Sequence, residues 1–176
     1  MLVFKIVYWL GMVAEVAIRA PFQQLAKTAA KKERRVSRTE VVLLNVLLVV
    51  MLVLPLVYSL SPWLDFANYR LPAWLGWLGV TLLVGSVLVF WRAHHDLQAN
   101  WSPSLEIYAE HSLVTGGIYA SIRHPMYASQ WLWAIAQVLL LQNWLAGPLN
   151  LLFFVFFYFL RVRAEEKMML ETFGEP

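Results

Sequence analysis

The chain has no cysteine among its 176 residues. Disulfides, thiolate metal ligands and a cysteine nucleophile are excluded with it. Charge is scarce too. Asp, Glu, Lys and Arg make up 14% of the sequence, where soluble domains average about 25%. Too few polar side chains remain to coat a water-soluble globule of this size. Apolar residues take their place at 60%, against about 45–50% in soluble domains. The balance argues against a soluble enzyme, a disordered chain and a free-standing nucleic-acid binder. There is no internal repeat, low-complexity tract or domain boundary. The apolar total suffices for about five membrane spans of ~20 residues each.

The apolar runs place those spans at about 2–18, 41–60, 73–90, 126–141 and 148–160 of a single membrane domain. The first is interrupted by Lys5 and Glu15. It does not read as a signal peptide, because Glu15 and Arg19 follow and no small-x-small cleavage site appears. The second contains Asn45 and Pro55, and proline is tolerated in membrane helices. The last two are short and are joined by the polar Gln142–Pro148 turn. We expect a tight helical hairpin whose second helix continues past Leu160, since residues 161–173 are helix-forming in composition.

Twelve of the fourteen Lys and Arg residues fall in the first loop, the third loop and the C-terminal segment, leaving Lys5 and Arg70 opposite. The positive-inside rule then puts the N-terminus outside and the C-terminus in the cytoplasm, which an odd number of spans satisfies. Trp63, Trp74, Trp77 and Trp144 would sit near the outer interface, and Trp91 and Trp101 near the inner one. The basic run Lys27–Arg38 reads as a solvated loop attracted to anionic lipid.

The ionisable side chains gather on the inner side. His94, His95, His111 and His124 all lie in the third loop, with Asp96, Glu106 and Glu110, and Glu165 and Glu166 follow the fifth span. Ionisable residues at that depth are functional candidates by default. Gly116-Gly117 permits unusual backbone and close approach. Pro125 restricts His124, so a helix should begin near it and offer free amides. On their own, the two glycines read as a turn. Arg161 and Glu165 share a helical face, as do Glu15 and Arg19, and the latter read as a structural pair. Adjacent His94 and His95 point apart on a helix. Two histidines four apart would be needed for a shared metal, so no metal site is expected.

Two clusters, taken together, carry a resemblance. His111-Ser-Leu-Val-Thr-Gly-Gly-Ile-Tyr119, then Arg123-His-Pro-Met-Tyr127, then Glu165-Glu166 with Leu170-Glu-Thr-Phe-Gly-Glu175, resemble the isoprenylcysteine carboxyl methyltransferase family and its phospholipid methyltransferase relatives. Asn100-Trp101-Ser102 is also similar to the family pattern. The likeness covers about 92–175, the expected catalytic half. It implies an all-α integral membrane protein of five transmembrane helices, with a cytoplasm-facing site for S-adenosylmethionine that is open sideways to lipid. The implied setting is a bacterial or archaeal inner membrane.

Position by position, the resemblance assigns the cofactor to His111, Leu113, Val114, Gly117, Tyr119, His124, Pro125, Tyr127 and Glu165. It assigns the lipophilic methyl acceptor to Arg161 and Tyr127, with Arg161 and Glu165 as the catalytic pair. The cofactor's two cations suit a carboxylate and aromatic faces. An acceptor carboxylate needs no general base, and arginine grips it with two parallel hydrogen bonds. Arg161 therefore favours a carboxylate over an amine. Three other readings compete: a phospholipid N-methyltransferase, an NADPH-dependent membrane reductase of the steroid 5-reductase type, and a non-catalytic lipid-binding protein. The sequence departs from the family pattern at Ser129, where glycine is usual, at Ser104, where glutamine is common, and at Pro176, where a tyrosine-rich tail usually continues.

Overall fold

A computed structural model describes residues 2–28, 31–34, 37–102, 106–108 and 113–173. Five helices carry the fold: α1 (Leu2–Thr28), α2 (Arg38–Leu60), α3 (Ala73–Leu97), α4 (Pro125–Leu141) and α5 (Pro148–Phe173). Of these, α2 and the Ala73–Asn100 stretch containing α3 are long and apolar enough to cross a membrane. α1 turns Val3, Ile6, Leu10 and Val13 outward at helical spacing. A soluble helix would turn such a stripe inward.

Three expectations need correction. α1 does not stop near residue 18 but runs on through Pro21, so Arg19 lies on a helix and not in the first loop. The basic run contains a strand. Strand β1 (Lys31–Arg34) pairs antiparallel with β2 (Glu106–Tyr108), tying the loop before α2 to the loop after α3. Among the described residues the fold is therefore helical with one two-stranded ribbon. Trp101 does not sit at a lipid interface; it is buried against Ala26, with Phe22, Leu97 and Met126 around it.

The remaining elements start and stop for local reasons. Ser37 caps α2 by accepting the Glu40 amide at 3.1 Å. Pro125 opens α4 at a position where a missing N–H costs nothing. Gln142 ends α4 in left-handed backbone (φ 48°). The hairpin turn is then closed by Asn143, whose Nδ2 donates to the Leu64 carbonyl at 2.7 Å and whose Oδ1 accepts the Leu145 and Ala146 amides. α3 and α4 pack closely at Gly79, where a Cβ would lie 2.9 Å from the Leu139 Cβ.

Inside α2 the backbone widens to a π turn at Val49–Val53. The Leu54 amide bonds to the Val49 carbonyl, and Pro55 has no amide to offer. The Val50 and Met51 carbonyls are thereby freed. Gln137 of α4 donates to Val50 at 2.9 Å and to the Ala146 carbonyl at 2.6 Å, and the Tyr8 hydroxyl of α1 donates to Met51. Asn150 of α5 donates to the Gln137 Oε1 at 2.8 Å. Four helices thus meet on one buried, uncharged network beside the core of Tyr8, Tyr58, Leu83, Trp133 and Leu140.

Candidate functional site

At the opposite end of α4 and α5 from the hairpin, the polar contacts are of a different kind. Tyr127 is on the first turn of α4, and Arg161 and Glu165 are one turn apart on α5. The Arg161 Nε donates to the Tyr127 hydroxyl at 3.0 Å, and that hydroxyl donates to Glu165 Oε2 at 2.5 Å. A cation and an anion are therefore joined through one phenol. Arg161 finds its direct ion pair on another helix. Arg161 Nη1 meets Glu40 Oε1 of α2 at 2.9 Å, and both side chains are about nine-tenths shielded. The Phe157 ring lies 5.6 Å from the guanidinium carbon.

His124, the residue just before α4, extends the cluster. Its Nε2 lies 3.1 Å from Glu166 Oε1 and its Nδ1 3.9 Å from Glu165 Oε1, while Arg123 reaches Glu166 at 3.7 Å. Glu165 and Glu166 each keep about a third of their side-chain surface exposed. The Glu-Glu pair is held from one side and open on another.

Tyr119 arrives on the short helical turn Gly117–Ala120. Burial and the charge of Glu165, then that of Asp96, hold its hydroxyl above the usual phenol range. The turn is pinned by Asp96, which accepts the Ile118 amide at 2.8 Å and Arg92 Nε at 2.9 Å. Gly117 has φ +61°, and a Cβ there would fall 2.2 Å from Asp96 Oδ2. Its lack of a side chain admits the close approach of Asp96.

Pro125 is buried at the helix start. Leu113 is exposed and Val114 half-buried on the stretch that leads into the turn. His111 and Ser104 lie outside the described residues. Tyr119, His124, Tyr127, Arg161 and Glu165 thus come together, while Leu113 and Val114 stand on the approach.

Other singled-out residues fall elsewhere. His94 is fully buried, its Nδ1 on the Phe90 carbonyl at 3.0 Å and its ring against Phe22, Phe90 and Trp101. His95 is exposed on the other side of the same helix. Among the described residues no three His, Asp or Glu side chains group as metal ligands do. Glu15 is buried beside Gln130, whose Nε2 donates to it at 3.4 Å, and Arg19 lies over the Phe90 and Trp101 rings. Ser129, at the family's glycine position, is fully buried and satisfied: its Oγ donates to the Met126 carbonyl at 2.7 Å.

Glu40 was missed. Ser37-x-x-Glu40 reads as a helix cap, a sufficient local explanation for an acid at that position. The one available signal was Arg161 itself, a cation at the end of an apolar run with no charged partner guaranteed.

The described residues thus combine helices with outward apolar faces and a charged Arg–Tyr–Glu–His cluster at one end. The comparisons sharpen this. Residues 77–171 match the model of the isoprenylcysteine carboxyl methyltransferase family, and the chain belongs to that family. Protein-S-isoprenylcysteine O-methyltransferase of Tribolium castaneum is 33% identical over 129 residues, covering 66% of this chain and 45% of the relative. The Homo sapiens protein of the same name is 30% identical over 128 residues, covering 68% and 45%. That of Saccharomyces cerevisiae is 42% identical over 70 residues, covering 38% and 28%. The chain spans less than half the length of these relatives.

Proposed function

We propose that the chain is an S-adenosylmethionine-dependent methyltransferase that esterifies the carboxylate of a lipophilic, isoprenylcysteine-like acceptor at the cytoplasmic face of a membrane. The observation that carries this is the Arg161–Tyr127–Glu165 chain, which presents a cation and an anion side by side at the end of an apolar bundle. Family membership and the relatives' names support the reaction class. Five spans follow from the apolar runs, and an outside N-terminus with an inside C-terminus from the clustering of Lys and Arg on one side.

The donor set fits S-adenosylmethionine. Glu165, backed by the Tyr119 and Tyr127 rings, suits its sulfonium and ammonium groups. His124, Arg123 and the amides at the start of α4 suit its carboxylate. When bound, the cofactor supplies a methyl carbon on a positive sulfur, and transfer leaves a neutral thioether and a neutral ester. Opposite charges vanish together, so a dry site of low dielectric favours the reaction. Arg161 orients the acceptor carboxylate through its guanidinium fork. Once the ester forms, the acceptor loses its charge and Arg161 loses its hold on it, which favours release. No side chain has to move a proton, so positioning is the main demand on the protein.

An N-methylated phospholipid would need no such arginine, and its amine would have to lose a proton. A reductase would need a basic cradle for a nucleotide phosphate. Binding separates these directly. In detergent-solubilised protein we expect S-adenosylmethionine to bind and NADPH not to. The converse result excludes the methyltransferase reading.

A further inference from the structure

We infer that Glu40 is the positioning residue for Arg161, fixing which edge of the guanidinium faces the acceptor and so the site's preference for a free carboxylate. The inference rests on the methyltransferase reading above and deepens it.

Arg161 is restrained on three sides. Tyr127 holds Nε at 3.0 Å, Glu40 holds Nη1 at 2.9 Å, and the Phe157 ring covers one face at 5.6 Å. Among the described residues Nη2 takes no hydrogen bond. The fork is thereby aimed, with its Nη2 end left for an incoming group. An unrestrained arginine keeps most of its rotamer freedom and loses it only when substrate arrives. Here that ordering is done beforehand by residues of α2 and α4.

An alternative is that Glu40 occupies the acceptor's own place and is displaced by it. Two observations favour positioning. Glu40 engages Nη1 through a single oxygen and does not take the paired end of the fork. It is also fixed to the first turn of α2, where Ser37 caps its own amide. Its side chain is about nine-tenths shielded. Parting so shielded an ion pair is costly. Glu40 therefore stays, and the acceptor approaches the remaining edge.

The test is equilibrium binding in detergent, without methyl donor, of an S-prenylated cysteine as free acid and as methyl ester. Wild type should prefer the acid. Glu40→Gln, which keeps the shape and loses the charge, should reduce that preference about tenfold while leaving S-adenosylmethionine affinity unchanged. In an Arg161→Ala background the same change should do nothing further, because its effect passes through Arg161. If Glu40→Gln does not fold, Glu40→Asp keeps the charge, shortens the reach and should lower the preference by a smaller factor. Tighter acid binding by Glu40→Gln would mean that Glu40 had occupied the acceptor's place. An unchanged preference, or equal losses for acid, ester and donor, would also overturn the positioning role. A wild type that binds acid and ester alike overturns this inference and the carboxylate reading together. A wild type that prefers acid with an unaffected Glu40→Gln overturns only this one.

Discussion

The two ends of α4 show polar groups used in two ways. At the hairpin end, Gln137, Asn150 and Tyr8 are uncharged and fully buried, and they are linked to the backbone carbonyls of Val50, Met51 and Ala146 and to one another. At the other end, Arg161, Glu165, Glu166 and His124 are charged or chargeable, the two glutamates keep about a third of their side-chain surface exposed, and the four are linked to side chains, among them those of Tyr127 and Glu40. The first network repairs a helix that Pro55 has broken. The second holds charge where the bundle opens. Polarity inside an apolar protein therefore does not by itself mark a site. Charge, partial exposure and side-chain partners do.

Four substitutions test that contrast, taken from the largest expected effect downward. Arg161→Ala should reduce methyl transfer by ~100-fold or more, the scale for losing one partner of a buried charged pair. It should spare S-adenosylmethionine affinity, measured by calorimetry. An equal loss of donor binding would show that the Tyr127 hydroxyl merges the two roles.

Glu165→Gln should weaken donor affinity by ~30-fold, about 2 kcal/mol, through loss of a charge-assisted contact. Donor affinity at the wild-type level would remove Glu165 from the cofactor's surroundings.

Gln137→Leu should cost about 2 kcal/mol of stability by leaving buried carbonyls unmet. It should leave the donor affinity of the folded protein intact, with thermal unfolding in detergent as the measure. A variant as stable as wild type but inactive would reverse the assignment of the two ends.

Gly117→Ala should have the smallest effect, about 1 kcal/mol from the left-handed backbone and the crowding of Asp96. Donor binding should weaken only as far as Tyr119 is displaced.

How far the sequence exposed each end follows from what each depends on. Apolar run length placed five helices, because a long apolar segment has few other fates. It missed the extension of α1 to Thr28, since Pro21 and Arg19 look like an ending, and helix packing carried the chain through both. It missed the ribbon of β1 and β2, whose partners are far apart in sequence. At the site, His124, Tyr127 and Glu165 were legible as motif residues. Glu40 was not, because it belongs to a different helix and already has a local excuse as part of a cap. Gly117 was legible as a special position, and the structure adds that the space its missing Cβ leaves is taken by Asp96.

The central claim is methyl transfer to a carboxylate aligned by Arg161. Its most direct test is incubation of the detergent-solubilised protein with methyl-labelled S-adenosylmethionine and, separately, a prenylcysteine, a fatty acid and phosphatidylethanolamine. The account predicts label in a base-labile methyl ester of the prenylcysteine, abolished by Arg161→Ala. Base-stable label on phosphatidylethanolamine, retained in Arg161→Ala, would contradict it.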